Sequence, residues 1–374
     1  MSAMQEDWAI LRTMFPQDWH QLGRDSGAVT RLRGFDSLDD LLRTLLMHVG
    51  CGWSLRETAV RAKLAGIADV SDVTLLNRLR QSAEWLRRLC QQLWTEAGVE
   101  LEPPLTQWPI RVLDATVVRE PGKTGSQWRI HYSMRLPSLA CDHFDLTPVE
   151  GAETGERLGR FQFHRGELVL ADAGYSHPAG VVSVHRDGAY LCVRLNPKAL
   201  PLQQANGKRF PVLSKIKTLR KDGQTGEWAV WVESGGNRVQ GRLCAIRKSQ
   251  AAIDKAQRRL LRKAQKKQRT VAASAQEYAC YVMVFTTLPG QKVKGSQVLE
   301  YYRLRWQIEL TFKRLKSIVQ LGHIPKQDDD SSRAWLYGKL FLALLSEKLT
   351  RTADSISPWG YRLSNGASNP EPLA

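Results

Sequence analysis

The chain of 374 residues is long enough for two or three domains and has the 43% hydrophobic content of an ordinary folded protein. Its 54 Lys and Arg against 37 Asp and Glu give a net charge of +17, which favours a polyanionic partner: nucleic acid or an anionic membrane surface. The membrane reading is weak, since no stretch approaches the roughly 18 apolar residues of a spanning helix, and six scattered Cys without a CxxC pair, with eight His without metal spacing, read as reduced, mostly buried thiols and not as a disulfide frame or zinc site.

The N-terminus, MSAMQEDWAILRTMF, has early acids and no secretory pattern, so a cytoplasmic protein is expected. Residues 1–100 read as helical. SLDDLLRTLLMHVG repeats leucine at helical spacing, and SLRETAVRAKLAG opens with a Ser54/Glu57 capping box and closes on Gly66. SDVTLLNRLRQSAEWLRRLCQQLW reads as one long basic helix. Short capped helices with arginine-rich faces suit a DNA-binding module, and equally a plain bundle with solvated arginines.

LEPPLTQWP breaks the helical region, and the period then changes. Residues 108–196 predict strands at 110–118, 127–136 and 143–151, a short helix in ETGERLGRF, a strand at 167–172, a helical turn after HPAG and a strand at 189–195. That order is α/β. Residues 197–288 are β-rich, with expected strands in RFPVLSKIKTL, EWAVWVES, RVQGRLCAIRKS and YVMVFTTL. Within them, residues 251–270 form a helix with eight basic residues and one acid, Asp254. Residues 289–352 predict further helices, and 353–374 a loop-like tail.

The most telling stretch is YYRLRWQIELTFKRLKS, residues 301–317. As one helix it places Tyr302, Arg305, Glu309 and Lys316 on a single stripe beside an apolar face of Leu304, Ile308, Phe312 and Leu315. A plain i,i+4 ion pair between Arg305 and Glu309 is the simpler reading. Two aspartates argue for more. Asp114 sits mid-strand in IRVLDATVV, where an unpaired carboxylate is costly unless an arginine pairs with it. Asp172 ends the strand ELVLAD, where ligand groups of α/β folds gather, unless it caps the next helix. Two aspartates and a glutamate converging on one place need cations. Hard oxygen donors select Mg²⁺ or Mn²⁺, and a pair of such ions suits phosphodiester transfer.

The spacing Tyr302-x2-Arg305-x3-Glu309-x6-Lys316 resembles the Y-R-E-K signature of bacterial insertion-sequence DDE transposases, and LDATVV and LADAGY resemble the contexts of that family's two aspartates. The resemblance runs from about 35 to 350. It implies a ribonuclease H-like catalytic core interrupted by a β-rich insertion, with an N-terminal helical region that binds transposon ends. It further implies two Mg²⁺ held by Asp114, Asp172 and Glu309, with Mn²⁺ as a substitute. Tyr302, Arg305 and Lys316 would grip phosphates. Tyr281 would stack on a flipped base and Trp306 would pack near the same DNA, core packing being the other reading of each, and Arg194 would face DNA. The partners implied are double-stranded DNA, both terminal repeats and target, and a second copy of the chain in a synaptic dimer. Cut-and-paste strand transfer is the implied reaction. A nuclease of the same core without strand transfer, and an inactive relic that only binds DNA, are the alternatives.

Overall fold

The computed structural model describes residues 3–29, 31–97, 106–119, 127–151, 154–266, 268–322, 324–326 and 328–356. In chain order, helices α1 (Ala3–Thr13), α2 (Trp19–Asp25), α3 (Leu38–Cys51), α4 (Leu55–Leu64), α5 (Asp72–Gln81) and α6 (Ala83–Ala97) come first. Strands β1 (Ile110–Arg119), β2 (Gln127–Leu136), β3 (Cys141–Pro148) and β4 (Leu168–Ala171) follow. Then come α7 (Pro178–Arg186), β5 (Tyr190–Arg194), α8 (Val212–Ile216), β6 (Thr225–Ser234) and β7 (Asn237–Arg247). The chain ends with α9 (Gln250–Lys266), α10 (Ala273–Ala279), β8 (Tyr281–Thr286), α11 (Gly295–Arg303), α12 (Trp306–Ile318) and α13 (Asp329–Ile356). They divide into two compact units: Met1–Glu100 with Val118–Trp128 and Lys313–Ala374, and Leu101–Val117 with Arg129–Phe312.

The first unit is mainly helical. Ser37, Ser54 and Ser71 cap α3, α4 and α5, each side chain accepting the amide three residues on. Gly52 and Gly66 leave α3 and α4 in the left-handed conformation, at φ 69° and 65°. α13 packs against α3, α5 and α6, and its apolar side buries Leu336, Leu340, Phe341 and Leu345. The expected long helix over 71–94 is two helices, α5 and α6, because the Ser82 amide closes on the Leu79 carbonyl in a tight turn. Of the expected tail, residues 353–356 complete α13 and 357–374 lie outside the described residues.

The second unit is built on an eight-stranded sheet among the described residues, ordered β3-β2-β1-β4-β5-β8-β7-β6. β1, β4 and β5 run parallel, and β8 returns antiparallel to β5. β7 and β6 extend the same sheet by antiparallel pairing, so the β-rich segment and the α/β strands share one hydrogen-bonded surface. The central strands are apolar runs buried on both faces, as parallel strands demand: all four residues of β4 are buried. Leu113, Val169, Ala171, Leu191 and Val193 share one core with Val181 and Val184 of α7. Alternation along the strand sends Asp114 to the opposite face from Leu113.

Two local expectations fail for identifiable reasons. RFPVLSKIKTL forms α8 instead of a strand, with the chain turning into the helix at Pro211. In ETGERLGRF the described residues, 154–161, hold a single 3₁₀ turn, Leu158–Arg160. Among the described residues no helix is long and apolar enough to cross a membrane.

Candidate active site

Strand register assembles the site. Leu113 pairs with Ala171, and Ala171 pairs with Val193. Asp114, Asp172 and Arg194 each follow one of these partners, so the three stand at the same level on adjacent parallel strands. This is the carboxyl edge of the parallel strands, where α/β proteins place their chemistry.

The helix expected over 301–319 is broken, which corrects the stripe. α11 ends at Arg303 and α12 begins at Trp306. Between them the amides of Leu304, Arg305, Gln307 and Ile308 each reach back only three residues, a 3₁₀-like tightening. Tyr302 therefore closes α11, Arg305 occupies the junction, and Glu309 and Lys316 lie on α12. No Gly or Pro marks the junction, so composition gives no sign of it.

The break turns Arg305 inward. One guanidinium nitrogen donates to Asp114 Oδ2 at 3.3 Å and another to Glu309 Oε1 at 2.5 Å. The Arg305 side chain is 12% exposed and that of Asp114 17%, whereas Glu309 is 51% exposed and open to solvent. Both simpler readings, an Asp114–arginine pair and an Arg305–Glu309 pair, are thus realised by a single arginine. Burial lowers the arginine's hold on its proton, but Tyr302, Glu309, Asp172 and Asp114 more than reverse this and raise its pKa. Arg305 is therefore a fixed positive charge among the carboxylates.

Burial, augmented by Asp172 and Glu156, pushes Asp114 up to about 7 despite the Ala115 amide and Arg305. The Ala115 amide donates to Asp114 Oδ1 at 2.8 Å. Asp172 makes no side-chain cap bond to the turn it precedes, and its Oδ1 is buried without a hydrogen-bond partner among the described residues. Oxygen donors from Asp114, Asp172 and Glu309 are the groups here that could serve a hard cation. As they stand, the carboxylates converge on Arg305. No three His, Cys, Asp or Glu side chains among the described residues are in direct ligand geometry.

Beside Arg305 opens a cleft of about 790 Å³ lined by Arg194, Lys248, Tyr302, Arg303 and Trp306. Trp306 is 52% exposed, so core packing does not account for it. Burial raises the pKa of Tyr302, whose ring lies 5.9 Å from the Arg305 guanidinium carbon. Lys248 donates to the Ala279 carbonyl at 2.6 Å, and burial, with Arg194 beside it, lowers its pKa. Of the two readings of Tyr281, the structure favours core packing: it is buried in the sheet core at 6% exposure and Arg247 donates to its hydroxyl at 3.4 Å. Lys316 lies on the part of α12 that belongs to the helical unit, and burial lowers its pKa. Lys248 and Glu156 escaped the sequence reading, because neither carries a local spacing signal and both reach the site through long-range packing.

Residues 109–345 match the family described as "Transposase DDE domain". The transposase of insertion sequence element IS421 from Escherichia coli is 32% identical over 96% of this chain and 98% of its own length. The transposase of element IS231C from Bacillus thuringiensis subsp. berliner is 27% identical over 88% of this chain and 76% of its own. That of IS231F from Bacillus thuringiensis subsp. israelensis is 26% identical over 48% of this chain and 41% of its own.

Proposed function

Because the chain belongs to the DDE transposases of insertion sequences, enzymes acting on DNA with divalent metal, we propose that Asp114, Asp172 and Glu309 hold the metal while the adjoining cleft holds the DNA end. The single observation that carries the reading is the bridge from Asp114 through Arg305 to Glu309, with Asp172 in register beside Asp114. The donor set suits the group: it is all carboxylate oxygen, and Asp172 Oδ1 is buried and unpartnered among the described residues. When bound, two Mg²⁺ (or Mn²⁺) supply activation of the attacking hydroxyl and charge stabilisation in phosphoryl transfer.

This chain's own residues do the rest. Arg305 pairs with Asp114 and Glu309 in the resting protein, and would be free to meet a DNA phosphate once bound cations supplied that charge. Arg194, Lys248, Arg303 and Tyr302 line the cleft that receives the backbone. The exposed Trp306 ring stands at its edge, where an unstacked base is met by a flat apolar face. Lys316 is a further phosphate-gripping group. Residues 1–100 bind the terminal repeats and 197–288 serve as the β-rich insertion, with α9 as a basic face toward DNA. The reaction is cleavage at the element's end, then strand transfer by the freed 3′-hydroxyl within a synaptic dimer. The proposed core is ribonuclease H-like.

The test is the set Asp114→Asn, Asp172→Asn and Glu309→Gln, assayed with Mg²⁺ for end cleavage and, on pre-cleaved ends, for joining to target. Each variant is expected to fall to background in both assays while still shifting end DNA in gels. Cleavage retained by any one of them removes that residue from the assignment. Cleavage without joining in the unaltered protein makes it a nuclease, and binding without either makes it a relic.

A further inference from the structure

A fourth carboxylate reaches the same place by a separate route. Glu156 precedes the 3₁₀ turn at Leu158–Arg160 and lies between β3 and β4. Its Oε2 rests on the backbone of the turn that follows Asp172: a Cβ built on Gly174 would stand 1.4 Å from it. Glycine at 174 is what admits the carboxylate. Burial raises the Glu156 pKa; Arg129 and His177 oppose it, and Asp172 adds to it. Arg129 nevertheless forms no ion pair with it, its guanidinium donating to the Thr154 carbonyl at 2.8 Å. Next to it the Tyr175 hydroxyl is fully buried with no hydrogen-bond partner among the described residues, within electrostatic reach of Glu156 and Asp114.

A half-buried carboxylate in no ion pair among the described residues, within electrostatic reach of two further acids and an orphaned hydroxyl, is unfavourable in a protein with nothing to bind there. One divalent cation relieves all of these at once, since the acids gain a counter-charge and the hydroxyl gains an ordered polar neighbour. We propose that Glu156 is a further acidic member of the divalent-cation site, approaching from the Asp172 turn and completing the cradle that Asp114 and Asp172 begin. This rests on the reading of Asp114 and Asp172 given above. It assigns Glu156 to positioning the cation; the DNA is held elsewhere.

The experiment uses the full-length protein without DNA and titrates MnCl₂ by calorimetry, with urea unfolding of the metal-free and Mn²⁺-loaded forms alongside. Glu156→Gln is expected to weaken Mn²⁺ binding about tenfold. Its metal-free urea midpoint should equal or exceed that of the unaltered protein, because an unpaired charge is gone. Unchanged Mn²⁺ affinity overturns the proposal, as does a lowered metal-free midpoint with an undiminished Mn²⁺-induced rise, the signature of a merely structural side chain. Should Glu156→Gln fail to fold, Glu156→Asp, which keeps the charge on a shorter arm, is read instead: weakened binding supports the role and unchanged binding overturns it. Asp114→Asn separates the two levels. If it too binds Mn²⁺ normally, the site assignment itself has failed; if it loses Mn²⁺ and Glu156→Gln does not, only Glu156 drops out.

Discussion

Arg305 and Asp114 are 191 residues apart in sequence and 3.3 Å apart in the fold, and the same guanidinium also reaches Glu309. In the site proposed above, the arginine does for the resting protein what bound cations would do for the working one. Replacing it with glutamine should therefore have opposite effects on two properties. The metal-free protein should lose about 1–3 kcal/mol of stability, as when a charged hydrogen bond at a largely buried site is broken. Mg²⁺ should restore more stability to the variant than to the unaltered protein, while DNA-end affinity falls. Urea midpoints with and without Mg²⁺, and gel shifts, measure all three.

The elevated Asp114 pKa, about 7, predicts an unusual pH response. In the unfolded chain the group titrates near 3.9. Between those values the folded state holds a proton that the unfolded state has released, so this group's contribution to stability declines as pH rises from about 4 to 7. Metal-free Asp114→Asn should be the more stable protein at pH 8, by about 4 kcal/mol from this term (about three pKa units at 1.36 kcal/mol each), and the gap should close toward pH 4. For the same reason Mg²⁺ affinity of the unaltered protein should climb through pH 7, because protons compete for the oxygens. Equal pH profiles for the two proteins would remove the effect.

In the cleft, Arg194→Ala should reduce the slope of log K for DNA against log salt by about 1, the count expected for a single phosphate contact. Trp306→Ala, at an exposed position, should change stability by less than about 0.5 kcal/mol. It should weaken binding of an end with an unpaired base by about 1–3 kcal/mol if that base stacks on the ring. Fluorescence anisotropy over a salt series resolves the two.

Arg259, Arg262 and Lys263 are exposed on α9. Their joint replacement by glutamine should lower the salt slope by about 2–3 and leave Mn²⁺ binding in the absence of DNA unchanged. A normal slope would make α9 a merely solvated helix.

Much of this was legible in the chain because the signals are local. An aspartate inside an apolar strand, a second at a strand end and a Ser54/Glu57 cap each announce themselves within a few residues, and the fold keeps Asp114, Asp172 and the capped start of α4 where those patterns placed them. What escaped is set by packing at long range. The division of 301–319 into α11 and α12 has no Gly or Pro to signal it; inward pairing of Arg305 accompanies the tightened turn. Tyr281 looks the same in sequence whether it faces solvent or core, and only its place in β8 decides. Glu156 gains meaning only once β4 brings the Asp172 turn against it. The sheet also hid its extent, since hairpin signals near 234 mark β6 and β7 without saying which strand they join.

The parallel register has an evolutionary corollary. Two acids and an arginine are kept level by nothing more than equal step counts along β1, β4 and β5. Apolar residues within those strands can be exchanged freely for others of similar bulk, but losing or gaining one residue upstream of the edge would rotate a functional group onto the face occupied by α7. Drift in such a gene should accordingly accumulate as substitutions in the strands and as length changes only in the connections between them.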